Sequence, residues 1–373
     1  MVHRHGAAFL LGLAAFLFGW CGGVMTAEAG PQRISFSELQ GWSVDDQSLA
    51  LDAFKRSCTR ILKLSPSASL DTKGGDPLYG RAGDWQPACE AAAKAAPGAG
   101  NARGFFQHWF VPVRFPKERG LLTGYYEPEM NGALTRQGPY QTPVLAPPAG
   151  FRMVEGGGSF PTRAEIENGA LDTEKLALLW LESPIDAFFL HVQGSGRVRL
   201  ETGEIVRLSF AAKSGHPYTS IGKILVDRGE LALEEVSMQT IRAWMERQPD
   251  KGRALTHENK SYIFFRLLRE TDPSLGPIGA EGLNLTPGRS LAVDRSHHPL
   301  GTLLWLTTEH PTEDGTGSVP VARLMVAQDT GSAIKGRQRG DIFFGSGTKA
   351  GEIAGRMKAE GELVALVPRA IAP

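Results

Sequence analysis

The sequence predicts a mainly β protein with helices near its amino terminus. Before residue 110, apolar residues recur at helical spacing. From Val111 onward the chain consists of short runs of valine, leucine, phenylalanine and tyrosine, broken by glycine, proline and asparagine. The 45 glycines and 24 prolines provide for many tight turns. A chain of 373 residues fits two domains better than one.

The first 29 residues have the pattern of a secretory signal peptide. Arg4 precedes an apolar run over residues 7–20, and Ala27-Glu28-Ala29 provides a cleavage site. The run is too short for a membrane span of about 20 residues. We therefore expect a soluble, exported protein that begins at Gly30. Lipid modification of Cys21 is the alternative, although Trp20 is bulky where lipoprotein signals need a small residue.

The mature chain then begins with helices. Four residues at helical spacing predict the first helix, with Asp45 or Asp46 as its cap: Leu51, Phe54, Cys58 and Ile61. Further helices are predicted near residues 84–95 and 101–110. Cys58 and Cys89 would pair in an oxidising compartment or remain two buried thiols.

The β texture after residue 111 is interrupted by two predicted helical stretches, near 172–181 and 231–248. Two strand-like segments carry polar groups suited to a ligand. L-L-T-G-Y-Y-E-P-E at 121–129 presents Thr123 and Tyr125, and F-F-L-H-V-Q-G-S-G at 188–196 is predicted as a strand that leads into Gln193 and Ser195. The alternatives are an edge strand with core tyrosines and an ordinary hairpin turn.

Composition and motifs exclude several classes of function. Lys+Arg and Asp+Glu number 40 each, so no general attraction to nucleic acid or anionic lipid is expected, and a neutral glycan fits this balance. The nine histidines are scattered without metal-ligand spacing. G-S-G at 194–196 lacks the further glycine of a dinucleotide fingerprint. We expect neither a metal nor a cofactor.

Three aspartates of the carboxy-terminal region follow or interrupt apolar runs: Asp294, Asp329 and Asp341. Carboxylates are rarely buried without a partner, so these acids should lie where strands open onto a cleft. That arrangement suits acid and base chemistry. The alternative is that each is an ordinary turn residue.

Five ordered motifs resemble the membrane-bound lytic murein transglycosylase A family, including its carboxy-terminal 3D domain. They are T-G-Y-Y-x-P at 123–128, H-V-Q-G-S-G at 191–196, S-I-G-K-I-L-V-D-R-G-E at 220–230, S-M-Q-T-I-R-A-W at 237–244 and the three-aspartate region. The resemblance covers nearly all of the mature chain. It implies a double-psi β-barrel domain built from residues 30–128 and 226–373, with the 3D region at about 285–350. A smaller β-barrel domain, residues 129–225, would be inserted, and a groove between the domains would hold the substrate.

The resemblance also implies an activity. Enzymes of this family are carbon–oxygen lyases that cleave the β-1,4 bond between N-acetylmuramic acid and N-acetylglucosamine in peptidoglycan. The 6-hydroxyl of the muramic acid attacks its own anomeric carbon and leaves a 1,6-anhydro end. Asp341 would act first as the acid and then as the base, with Asp329 as its partner. The implied substrate-binding residues are Thr123, Tyr125, Gln193, Ser195, Asp294 and Lys335.

The implied partners are glycan strands in the periplasm and other cell-wall enzymes, with association with the outer membrane as a less favoured alternative. Two other functions stay open from the sequence. Asp329-Thr330-Gly331-Ser332 matches the D-T-G-S loop of aspartic peptidases, although the chain contains no second D-T-G or D-S-G. The chain could also bind peptidoglycan without cleaving it.

Overall fold

The structure is a computed structural model and describes residues 30–116, 120–269 and 275–373. The predicted signal peptide and Cys21 lie outside these residues. The amino-terminal part contains strand β1 (Gln32–Arg33), helices α1 (Ser48–Ile61), α2 (Ala82–Lys94) and α3 (Ala99–Trp109), strand β2 (Phe110–Arg114), and short 3-10 helices at Phe36–Glu38 and Pro77–Tyr79. The three helices predicted here are confirmed.

These helices form one aromatic core against the strands. The ring centroid of Phe54 lies 5.7 Å from that of Phe110 and 6.3 Å from that of Trp85. Cys58 of α1 and Cys89 of α2 form a disulfide, with 5.1 Å between their Cα atoms. The bond joins α1 to α2. Of the two alternatives for these cysteines, the structure has the disulfide and not two buried thiols.

The middle of the chain, residues 120–269, contributes one strand to the first sheet and all six strands of the second sheet. Its elements in order are β3 (Gly120–Glu127), β4 (Glu129–Ala133), β5 (Thr142–Leu145), α4 (Arg163–Glu165) with a π-helical turn at Ile166–Ala170, α5 (Thr173–Leu176), β6 (Ala177–Leu181), α6 (Pro184–Gln193), β7 (Ser195–Leu200), β8 (Ile205–Lys213), α7 (Ile221–Asp227), a 3-10 turn at Leu233–Glu235, α8 (Met238–Arg247), α9 (Pro249–Glu258) and β9 (Ile263–Arg269).

Two local predictions in this region were wrong. Of the stretch 172–181, only α5 is helical and the rest is strand β6. The apolar run before Gln193 is helix α6, not a strand. Ser183 caps the amino end of α6 by accepting from the Asp186 amide at 3.1 Å, Pro184 follows at the first turn, and Gly194 ends the helix in the left-handed conformation.

The carboxy-terminal part completes the barrel with β10 (Ser290–Val293), β11 (Leu303–Pro311), β12 (Ser318–Asp329), β13 (Arg339–Ser346), α10 (Gly347–Arg356) and β14 (Lys358–Pro368). The first sheet has the order β1-β2-β14-β11-β12-β10-β13-β3, and an additional β14–β3 pairing closes six of its strands into a ring. β3 and β13 run parallel, as do β10 and β12.

The second sheet has the order β5-β6-β4-β7-β8-β9, and β5 and β6 contact β9, so the sheet curls. The predicted mainly β fold with amino-terminal helices, a barrel and a second sheet is confirmed. The second sheet draws on residues up to Arg269, beyond the predicted boundary near 225, and the division into domains stays a prediction. Among the described residues, no helix is long and apolar enough to cross a membrane.

Candidate active site

The strand register of the barrel places four residues in one row. Asp341 on β13 lies opposite Thr123 on β3 and Ala292 on β10, and Ala292 lies opposite Asp329 on β12. Residues directly opposite one another share a face of the sheet. With neighbouring strands about 4.8 Å apart, the Cα atoms of the two aspartates are separated by roughly 10 Å or less. The sequence alone did not show that Ala292 of β10 lies between the two aspartates across the sheet.

Asp341 is held through one oxygen. Its Oδ1 accepts hydrogen bonds from the Thr123 hydroxyl and from Nη1 of Arg339. Nη2 of Arg339 donates to the Thr123 hydroxyl at 2.9 Å, so the three side chains form a closed triangle. The Asp341 side chain keeps 20% of its surface exposed. Within the described part of the chain its Oδ2 makes no hydrogen bond and is available to a substrate.

Asp329 is held through both oxygens. Its Oδ1 accepts from the backbone amides of Ala280 and Thr330, and its Oδ2 accepts from the Tyr125 hydroxyl, each at 2.9 Å. Burial raises the pKa of Asp329, and the nearby Asp341 adds to this against the effect of the three hydrogen bonds. Burial, together with the charge of Asp329, holds the pKa of Tyr125 well above its ordinary value. Tyr125 therefore stays a proton donor to Asp329.

Asp294 lies outside the row, immediately after β10 ends. Its Oδ2 accepts from the Gly336 amide at 2.8 Å, and its Oδ1 accepts from the amide and hydroxyl of Ser296. Burial alone would raise the pKa of Asp294, but these hydrogen bonds outweigh it and lower the pKa. The carboxylate thus fixes the loop that precedes β13. Lys335, on the same loop, is exposed.

The two predicted groups at the end of α6 differ in access. Gln193 lies beside β3, where its side-chain oxygen accepts from the Tyr126 amide at 3.1 Å. Ser195 is buried at the start of β7, paired with Ser209 of β8. The geometry thus places Gln193 next to the strand that carries Thr123, whereas Ser195 belongs to the interior of the second sheet.

Sequence reasoning missed two charged residues. Arg339 was not predicted because nothing in R-G-D-I-F-F-G shows that the arginine side chain binds the carboxylate of Asp341, two residues further along the same strand. Glu127 has a fully buried side chain between the two sheets: it accepts from Nε of Arg207 at 2.7 Å, from Nε of Arg197 at 3.0 Å and from the Ser346 hydroxyl at 2.8 Å. A carboxylate directly after T-G-Y-Y was the available signal.

A cavity of about 350 Å³ opens where the second sheet meets the amino end of α10. Its lining residues come from β4, from the residue that follows β6, from α6 and from the start of α10: Glu129, Met130, Asn131, Glu182, Asp186, Gly347 and Thr348. None of the predicted site residues lines this cavity, and the groove between the domains stays a prediction. Among the described residues, no group of three or more His, Cys, Asp or Glu is placed to hold a metal ion.

Comparison with known proteins identifies two family models in the chain. The MltA specific insert domain matches residues 121–266, and the 3D domain matches residues 289–367. The membrane-bound lytic murein transglycosylase A of Escherichia coli strain K12 is 42% identical over 240 residues. That alignment covers 63% of this chain and 62% of the E. coli protein, so it spans less than two thirds of this relative.

Solved structures match over most of the chain. The membrane-bound lytic murein transglycosylase of Agrobacterium tumefaciens is 34% identical, with a TM-score of 0.80 and coverage of 92% of this chain and 99% of that chain. The E. coli MltA with bound chitohexaose is 32% identical, with a TM-score of 0.65 and coverage of 87% and 90% respectively. The chain therefore belongs to the membrane-bound lytic murein transglycosylase A family.

Proposed function

We propose that the protein is a lytic transglycosylase that cleaves the β-1,4 bond between N-acetylmuramic acid and N-acetylglucosamine in peptidoglycan and forms 1,6-anhydromuramic acid ends. The observation that carries this proposal is the unequal state of the two carboxylates. Among the described residues, Asp341 has one oxygen that accepts no hydrogen bond, whereas both oxygens of Asp329 accept from donors. Ordinary glycosidases need two working carboxylates. A site with one free carboxylate suits a substrate that carries its own nucleophile.

In the proposed reaction Asp341 starts protonated on Oδ2. It gives this proton to the glycosidic oxygen as the bond to the anomeric carbon breaks, and the N-acetylglucosamine leaves as an alcohol. Arg339 and Thr123, bound to Oδ1, stabilise the carboxylate that results. The 6-hydroxyl oxygen of the muramic acid then bonds to the anomeric carbon, and its proton passes to Oδ2. No water is consumed, and Asp341 ends protonated as it began.

The other predicted residues position these groups. Asp329 accepts a hydrogen bond from the Tyr125 hydroxyl, and the centroid of the Tyr125 ring lies 5.3 Å from that of Phe343, two residues after Asp341 in strand β13. Gln193 fixes the neighbouring backbone at Tyr126. Asp294 orients the loop that carries Lys335. We assign substrate contact to Thr123, Tyr125 and Lys335 and a positioning role to Asp294 and Gln193. Ser195, buried in the second sheet, is assigned no role in the reaction.

The aspartic peptidase alternative fits the geometry less well. Its chemistry needs two carboxylates close enough to share one proton. Here the aspartate of D-T-G-S is bound to two amides and a tyrosine, and its nearest partner carboxylate in the row lies two strands away. We place the protein in the periplasm, with glycan strands as its substrate and other cell-wall enzymes as partners.

The test is digestion of peptidoglycan sacculi by purified residues 30–373, with the released muropeptides identified by mass spectrometry. We expect anhydro ends from the unmodified protein and at least a roughly 100-fold lower rate from Asp341→Asn, as for loss of a general acid and base. Asp314→Asn, at an exposed turn aspartate, is the matched control. Hydrated ends would instead identify a hydrolase, and binding without soluble fragments would identify a non-catalytic protein.

A further inference from the structure

A second and larger cavity, of about 630 Å³, lies within the region of the second sheet. All of its lining residues fall between positions 136 and 262, and none belongs to the row formed by Thr123, Asp341, Ala292 and Asp329. Its walls come from β5, β6, α4, α6 and the α8–α9 junction. Pockets for small ligands have volumes of about 300–1,000 Å³. The proposed cleavage reaction gives this cavity no role.

Aromatic rings form much of its interior. Trp180, Phe188 and Tyr262 line the cavity and are each less than 5% exposed. The ring of Tyr262 stands edge-on to that of His191, with 4.5 Å between centroids. The Arg136 guanidinium lies 5.4 Å from the centroid of the Trp180 ring, and that of Arg163 lies 5.3 Å from the centroid of the Tyr262 ring. The rings therefore contribute a largely covered, apolar wall to the cavity.

His191 provides a directed hydrogen-bond donor in this wall. Its Nδ1 lies 3.0 Å from Nη2 of Arg163, a group that can only donate, so the neutral imidazole carries its proton on Nε2. Burial, together with the charge of Arg163, holds the pKa of His191 well below its ordinary value. In the described part of the chain, Nε2 has no hydrogen-bond partner. A ligand carbonyl can therefore accept from it.

Arg163 itself is committed to the protein. It donates to the Ser261 carbonyl at 2.7 Å and to the Asn259 carbonyl at 3.2 Å, and it pairs with Glu167 at 3.1 Å. Further charges of both signs lie around the cavity: Arg136, Arg253, Glu174, Glu246 and Asp250. With the charge of Arg163 compensated, the cavity favours a neutral ligand over an anion or a cation.

We propose that this cavity is a second glycan-binding site that holds an uncharged N-acetylated sugar, with Nε2 of His191 donating to the acetamido carbonyl and the apolar wall around it enclosing the sugar. The choice of a glycan rests on the proposed function, whereas the cavity and its chemistry do not. A strand bound here and in the groove would be retained longer than by either site alone.

The test is calorimetric titration of purified residues 30–373 with di-N-acetylchitobiose. Thr142→Phe fills the cavity, because Thr142 lines it from β5 and makes no side-chain hydrogen bond among the described residues. Thr202→Phe, in the exposed turn between β7 and β8, is the matched control. We expect Thr142→Phe to bind one equivalent fewer than the unmodified protein, or to bind that equivalent at least tenfold more weakly, and Thr202→Phe to match the unmodified protein.

An unchanged stoichiometry and affinity in a folded Thr142→Phe protein would overturn the proposal. Thermal melting verifies folding, and Thr142→Leu, a smaller filling of the same space, replaces it if the phenylalanine disrupts the sheet. The outcome is separable from the cleavage assay. If Thr142→Phe loses one equivalent of bound sugar but the unmodified protein makes no anhydro ends, the sugar site is supported and the proposed function is refuted. If the unmodified protein makes anhydro ends but Thr142→Phe binds the sugar as the unmodified protein does, only the sugar site is refuted.

Discussion

At the scale of single residues, the site depends on the different hydrogen bonding of two carboxylates, those of Asp329 and Asp341. Asp329 is enclosed by donors from the backbone and from Tyr125, and Asp341 is held by one oxygen and open at the other. The difference comes from which residues lie opposite them in the sheet. Both side chains were predicted from the sequence, but their separate tasks depend on register, which apolar runs and glycine spacing do not specify.

Arg339 gives a first prediction at this scale. Because its guanidinium and the Thr123 hydroxyl share Oδ1 of Asp341, Arg339→Gln should lower the rate of anhydro-muropeptide release about 100-fold, in the range for loss of one charge-stabilising donor. It should also move the pH profile of the rate, which a purely structural loss would not do. Arg356→Gln, which removes an ion pair with Glu352 on α10, should leave the rate and its pH profile unchanged.

His298 gives a second prediction. Its Nδ1 lies 2.6 Å from the Tyr79 hydroxyl and its Nε2 lies 2.7 Å from the Arg337 carbonyl, and burial lowers its pKa from 6.5 to about 4. Between these values the unfolded chain binds a proton that the folded chain does not, so folding stability falls as pH drops from 6.5 to 4. The loss amounts to about 3 kcal/mol.

The measurement is urea unfolding at pH 7 and pH 4. His298→Gln can keep both hydrogen bonds without titrating, so it should lose about 3 kcal/mol less between the two pH values than the unmodified protein. His108→Gln, at an exposed position, should behave as the unmodified protein. Equal losses in all three proteins would show that His298 does not contribute.

At the scale of elements, strand β3 links the site to the closure of the barrel. It carries Thr123 and Tyr125, and it pairs with both β13 and β14. Gly120 lies opposite Gly361 of β14, and a Cβ atom on Gly120 would lie 2.1 Å from the Gly361 carbonyl oxygen. The two backbones approach so closely that only glycine fits there.

Gly120→Ala should therefore weaken the β3–β14 pairing and reduce cleavage activity by displacing Thr123. We expect a loss of several kcal/mol, about 2–4, in the free energy of unfolding, as for other backbone clashes in a packed interior. Gly104→Ala is the matched control, since a Cβ at this helical position meets nothing within 4 Å. It should stabilise the protein by about 0.5–1 kcal/mol. An unaffected Gly120→Ala protein would contradict the close approach.

Element types show where sequence reasoning succeeds and fails. Helix α1 was predicted because its apolar residues recur at helical spacing from Leu51 to Ile61. Helix α6 was taken for a strand because Phe188, Phe189 and Leu190 form a continuous apolar run, buried on several sides, that has no clear period. The cap at Ser183, Pro184 and the terminal Gly194 were the signals that distinguish it.

At the scale of the whole molecule, the two sheets are joined through Glu127. Its buried carboxylate, at the end of β3, binds Arg197 of β7 and Arg207 of β8. Removing one partner from a buried ion cluster costs about 3–5 kcal/mol. Glu127→Gln should reduce the free energy of unfolding by that amount in urea titrations.

The comparison variant is Glu129→Gln, two residues further along the chain. Glu129 pairs with Arg199 on the surface, where the two side chains are 35% and 50% exposed. Solvent screens such a pair, so its loss should cost less than about 1 kcal/mol. Similar losses in the two variants would show that Glu127 does not hold the sheets together.

The β14 strand completes the barrel: it contacts β2, β3 and β11, and it is the last strand of the described chain. All residues of the second sheet are synthesised at least 89 positions earlier, since β9 ends at Arg269 and β14 begins at Lys358. The barrel that carries the proposed catalytic row can therefore close only after the whole second sheet has been synthesised. A chain that ends before Lys358 would keep the strands and helices that line the proposed sugar cavity, and it would lack the strand that pairs with β3 and β11 to close the barrel.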